Sequence, residues 1–218
     1  MFKKNKEIIS WSLYDWANST FSTTVMAGFF PLFFKQYWST ATDVTVSTWY
    51  LGLANSAASV LVASLAPFLG AIADKASVKK KLLIFFAFIG VISTGSLSIV
   101  SQGQWKIAII FYVIASIGFM SANIFYDSLL PSVASYQKRD FVSSLGYALG
   151  YIGGAILFLI NVTMYLNPKF YGITDAATAI KLSFLTVAIW WAIFSIPIFI
   201  SVKIENLNVL SCNVNNLK

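Results

Sequence analysis

Six stretches of this chain, near residues 8–34, 48–73, 81–101, 105–130, 141–166 and 179–202, are apolar for the roughly 20 residues that a helix needs to cross a bilayer. Lipid offers the backbone no hydrogen-bond partners, so a run of that kind satisfies its own N–H and C=O groups by coiling into a helix. The expected fold class is therefore an all-α membrane protein of six transmembrane helices. Composition agrees: 58% of the 218 residues are hydrophobic and 11% are charged, against roughly a quarter charged in soluble domains. Residues 1–202 are expected to form the six-helix domain. Residues 203–218, polar and asparagine-rich, are expected to form a disordered cytoplasmic tail.

The net charge of +7 does not call for nucleic acid as a partner. The lysines sit in short gaps between apolar runs and do not build a basic face. With the N-terminus inside, eleven of the fifteen lysines and arginines fall on the inner side, among them Lys3, Lys4, Lys6, Lys138 and Arg139. That places both termini in the cytoplasm. Trp38, Trp49, Tyr50 and Trp105 fall at outer helix ends and Trp11 at the inner start, where interfacial aromatics belong. The basic opening "MFKKNKEIIS" runs into polar residues and reads as the start of an uncleaved helix, not a signal peptide. Histidine is absent and the one cysteine, Cys212, lies in the polar tail. This removes the usual zinc, haem and iron–sulfur sites and histidine-based nucleophilic catalysis. No catalytic residue, metal or cofactor is expected, and an enzyme is disfavoured.

Polar residues inside the apolar runs are the informative exceptions. In "SWSLYDWANSTFSTT", Ser12, Asn18, Ser19 and Ser22 fall within about 60° of Asp15 at ~100° per residue. A carboxylate at the bilayer centre costs at least ~2.5–3.5 kcal/mol on insertion scales, so this stripe should face a bundle interior or an aqueous cavity. The fourth segment carries "SANIFYDSLLP", with Asn123 at a similar depth to Asp15 and Asp127 one turn further on, beside Tyr126. Asp15, Asn18, Asn123 and Asp127 are the candidates for a substrate or ion pathway. Interhelical hydrogen bonding that only holds the bundle together is the competing account. Asn55 and Asn161 are read as packing hydrogen bonds. The Asn18 and Asn161 sequons lie inside expected helices, which argues against glycosylation.

Two backbone signals remain. "GAIADKASVKKKLL", residues 70–83, is a tight inner loop in which Gly70 permits close helix approach and Asp74 can cap a helix or pair with a cation. In the fifth segment, "GYALGYIGG" repeats Gly146, Gly150 and Gly154 every four residues with Gly153 alongside, a small-residue seam that lets another helix come close.

Taken together these motifs resemble the major facilitator superfamily. "GAIADK…KKK" resembles the loop signature between its second and third helices, and "GYALGYIGG" resembles the glycine motif of its fifth. "SLYDWANSTF", "MAGFFPLFF", "NIFYDSLLPSVA" and "LGYALGYIGG" resemble the branch containing the vacuolar amino-acid effluxer of autophagy and its bacterial relatives. The resemblance implies the N-terminal half of the major facilitator fold, one of two six-helix halves around a central cavity lined by helices one and four. It implies gating by Gly70, Asp74, Lys75 and Lys79, and packing by the four helix-five glycines. It further implies a secondary transporter of a small polar solute, amino acids by resemblance, in a bacterial inner membrane.

Only six segments are present here. The sequence thus leads us to expect a truncated or split half that pairs with a second six-helix half, as a separate chain or a second copy. Asp15 would bind a cation, a proton or a substrate amine; Asn18 and Asn123 would hydrogen-bond polar groups. A non-transporting membrane interaction or assembly protein, or an inactive truncated transporter fragment, is the alternative.

Overall fold

The computed structural model describes residues 2–73 and 76–202. The expected gating residues Asp74 and Lys75 and the tail 203–218 lie outside the described residues. Among those residues the chain is all helical. Helix α1 spans Phe2–Thr20 and continues through wide π turns over Phe21–Phe29, a short α2 at Phe30–Phe33, and a second π segment at Phe34–Trp38. The long helices that follow are α3 (Val44–Ala73), α4 (Ala76–Ser96), α5 (Trp105–Val133), α6 (Arg139–Leu166) and α7 (Ala176–Ser201). Five helices are long and apolar enough to cross a membrane, those of the second to sixth expected segments. The first expected segment is helical throughout but is not one regular apolar α-helix, and it is not among these five.

The widening of that first segment has local causes. The Thr20 hydroxyl donates to the Ala17 carbonyl at 2.7 Å, and the Ser22 and Thr23 hydroxyls donate to the Ser19 carbonyl at 2.9 and 3.0 Å. Hydroxyls bonded back to the preceding turn compete with the helical ladder and bend it. Phe30 N–H then reaches Val25 O, five residues back, and Pro31 has no N–H to offer.

This segment is the centre of the bundle. Trp11, Tyr14, Phe21, Val25, Phe29, Phe33 and Trp38 are buried along it at helical spacing. The rings stack outward onto three neighbours. Trp11 lies 4.2 Å from Tyr126 of α5, Phe30 3.9 Å from Tyr112 of α5, and Trp38 5.7 Å from Phe184 of α7. Helix α1 packs against α6 and α7; α5 packs between α3 and α4, and α4 against α7. The α4–α5 crossing is backbone to backbone, since a Cβ on Gly118 would lie 2.7 Å from Gly90 N and 2.8 Å from Phe86 O. Helices α5 and α6 scarcely touch, so an opening runs between them with α1 as its floor. Asn55 accepts a 2.7 Å hydrogen bond from Tyr112, and Asn161 accepts one of 3.0 Å from Thr186, so both act as interhelical ties.

The loops carry their own caps. Asp175, ahead of α7, accepts the Thr178 N–H at 2.8 Å and the Thr174 and Thr178 hydroxyls at 2.9 and 3.0 Å. The backbone donor foremost, then these hydroxyls, hold its carboxyl below the usual carboxylate range. A carboxylate depressed in the folded state contributes stability that is complete above its unfolded pKa, near ~3.9, and is lost as pH falls through the lower folded value. Replacing Asp175 by Ala is therefore expected to lower the unfolding midpoint in detergent at pH 7. The gap from the unaltered chain should narrow at pH 3. Paired melts at the two pH values check this.

Candidate functional site

The opening between α5 and α6 holds the polar residues of the apolar runs. A cavity of about 220 Å³ is lined by residues of α1 and its π extension (Asp15, Asn18, Ser19, Ser22, Thr23), of α5 (Phe119, Asn123) and of α6 (Tyr147, Gly150, Tyr151). A smaller cavity of about 80 Å³ is lined by Trp11, Asp15, Asn123, Tyr126, Asp127 and Tyr147. Asp15, Asn123 and Tyr147 line both, so the two are one cleft that narrows toward Asp127.

Three elements set its geometry. On α1, Asp15 and Ser19 are one turn apart, and the Ser19 hydroxyl donates to Asp15 Oδ1 at 3.1 Å. Asn18, only 1% exposed, donates its side-chain N–H to Asn123 Oδ1, tying α1 to α5 across the floor. At the narrow end the Trp11 indole N–H donates to the Tyr126 carbonyl at 3.0 Å and its ring stacks on the Tyr126 ring. The third wall is α6, and glycine lets it approach. A Cβ on Gly146 would lie 2.8 Å from the Trp11 ring. One on Gly150 would lie 2.7 Å from Ser19 Oγ and 3.0 Å from Asp15 Cγ. One on Gly153 would lie 2.6 Å from Trp16 O, and one on Gly154 3.0 Å from Thr23. The helix that the glycine seam receives is α1.

The structure thus brings Asp15, Asn18, Asn123 and Asp127 into one cleft, with Gly150 at its wall. The loop residues Gly70 and Lys79 lie elsewhere. A Cβ on Gly70 would meet no described atom within 4 Å, so the close approach expected there is not made among the described residues. Lys79 donates to the Ser128 carbonyl of α5 at 3.1 Å, and Lys80 to the Val202 carbonyl beyond α7 at 2.9 Å. Both lysines thereby tie α4 to neighbouring backbone near one end of the bundle. The aromatic wall was missed in the sequence. Tyr147 and Tyr151 each follow a seam glycine in "GYALGYIGG", so they had to flank whatever the seam packs on. They are 61% and 74% exposed.

The chain matches the family described as "Vacuole effluxer Atg22 like" over residues 44–215. It belongs to that family. The resemblance drawn from the motifs is borne out for α3 onward; the match begins after the helix that carries Asp15 and Asn18. A Bacillus subtilis (strain 168) protein named as an uncharacterized MFS-type transporter, YxiO, is 39% identical over 199 residues, which is 90% of this chain and 46% of that protein. An Aquifex aeolicus protein is 27% identical, covering 78% of this chain and 42% of its own length. Autophagy-related protein 22 of Eremothecium gossypii is 23% identical, covering 89% and 45%. The chain spans about half the length of these relatives or less. No solved structure matches it.

The seam can be tested apart from function. Gly153→Ala puts a methyl group against the backbone carbonyl of Trp16, which cannot swing away, and should destabilise the protein by about 1–3 kcal/mol. Gly52→Ala in α3 meets no described atom within 4 Å and gains helix propensity, so it should be neutral or stabilising by up to about 1 kcal/mol. Unfolding midpoints of the two variants in one detergent check the ranking.

Proposed function

We propose that this chain is a six-helix half of a major facilitator-type secondary transporter that moves a small polar solute, amino acids by kinship with the Atg22 effluxers. In this reading the segment Phe2–Trp38, helical over its whole length, supplies the first of six spans. The observation that carries the proposal is the cleft itself. Asp15, Asn18 and Asn123 line a cavity open on one side, between α5 and α6, which leave room for a second half. Helix α6 flanks it with the exposed aromatic side chains Tyr147 and Tyr151. Alternating access would be the rocking of this half against a second six-helix half, a separate chain or a second copy. The Lys79 and Lys80 contacts suit a latch that joins α4 to the ends of α5 and α7 and yields when the halves rock.

The reading includes Asp15, Asn18, Asn123 and Asp127 as pathway residues and no enzymatic step. It places both termini in the cytoplasm, as the lysine distribution argues, and the protein in a bacterial inner membrane, as its resemblance to bacterial relatives suggests. The exposed aromatics of α6 also fit a second reading, a membrane protein that docks a partner without transport.

Counterflow of labelled amino acids into proteoliposomes separates the two, with the chain reconstituted alone and with a second six-helix half. Flux that needs both halves and falls about tenfold or more in Asp15→Asn is expected, because charged hydrogen bonds of this kind are worth ~1.5–3 kcal/mol. Flux with both halves no higher than in protein-free vesicles would overturn the transport reading and leave the docking one.

A further inference from the structure

We infer that the cleft is a receptor for an organic ammonium group, seated between Asp15 and Asp127 against the Tyr147 ring; this deepens the transport reading and rests on it only for the meaning of the ligand as cargo. The first observation is charge. The chain carries a net charge of +7, yet the lining of the two joined cavities contains two carboxylates and no lysine or arginine. The basic side chains described nearest in sequence to the site, Lys6, Lys138 and Arg139, line neither cavity.

The second observation concerns donors and acceptors, and it is independent of charge. The hydroxyl protons on the α1 side of the cleft are already committed. Ser19 donates to Asp15, while Ser22 and Thr23 donate to the Ser19 carbonyl. Asn18 directs its amide N–H into Asn123. What these hydroxyls still offer a ligand is oxygen lone pairs. Tyr126, 4% exposed and lining the narrow end, keeps its hydroxyl without a partner among the described residues. The α1 face thus offers acceptors beside two carboxylates, which suits a ligand carrying N–H donors, while the donors left on the opposite walls are the Asn123 amide and the tyrosine hydroxyls.

The third observation separates an organic cation from a metal ion. Hard divalent cations take six or more oxygen ligands. The narrow end offers Asp15, Asp127 and the Asn123 amide, whose oxygen already accepts from Asn18, and its remaining walls are aromatic: Trp11, Tyr126 and Tyr147. Trp11 and Tyr126 are stacked on each other. Tyr147 lines both cavities and is not stacked on another ring among the described residues, so its ring is available to a cation, an attraction that is modest at an exposed site. The anionic end of a zwitterion finds no basic residue on this wall, so it must be met from outside the cleft lining described here.

The test is isothermal titration of the purified 218-residue chain in detergent with three probes of one shape: phenethylamine, its N-acetyl derivative and 3-phenylpropanoate. Binding of the amine at least tenfold tighter than of the neutral or anionic probe is expected. The preference should be lost in Asp15→Asn and in Asp127→Asn, and affinity for the amine reduced in Tyr147→Leu, with each variant's melting curve confirming that it is folded. Equal binding of the three probes, amine binding unchanged in both aspartate variants, or no amine binding by the folded unaltered chain would overturn the inference. Because the titration needs no flux, its failure is distinct from failure of the counterflow assay.

Discussion

The contact on which the rest of this structure depends is the approach of α6 to α1. Four glycines remove the side chains that would hold the helices apart, and the backbone of α6 settles against Trp11, Asp15, Trp16, Ser19 and Thr23. A lipid-embedded bundle lacks the hydrophobic drive that joins helices in water, so close packing and hydrogen bonds carry the association. The seam does more than hold. By pulling α6 onto α1 it leaves α5 and α6 apart, and the polar stripe of α1 becomes the floor of an open cleft instead of a buried seam.

The first helical segment answers two demands at once. One face carries large aromatics that stack on α5 and α7 and hold the segment at the centre of the bundle. The other face carries Asp15, Asn18 and the hydroxyls. The hydroxyls that bond back to their own carbonyls relax the α-helix into π turns just past the cleft floor. Wide turns of this kind recur at functional sites, where they re-aim side chains. The same inward hydrogen bonds turn oxygen lone pairs toward the ligand space, so one local preference shapes both the helix and the chemistry of its polar face.

The stretch 70–83 also makes contacts that its sequence did not specify. Lys79 and Lys80, at the start of α4, do not wait in water for a carboxylate. They reach the carbonyls of Ser128 and Val202. Interactions of this kind tie helices together at one end of the bundle while the cleft side stays open.

Sequence alone determined that the chain is helical and membrane-embedded, because apolar runs of this length in lipid have to satisfy their own backbone. It also determined that Asp15, Asn18 and Ser19 share a face, because helical periodicity is local. It showed that some helix must come close at the glycines, though not which one. Partner choice is a three-dimensional outcome, decided when α1 was drawn against α6 and Asn18 met Asn123, 105 residues away. Tyr147 and Tyr151 were legible only as residues beside the seam; that they form the wall opposite Asn123 follows from the packing. Gly70 shows the reverse case, a glycine in a recognised motif with no described neighbour to receive. Periodicity is written residue by residue, but which faces meet is settled by the whole bundle at once.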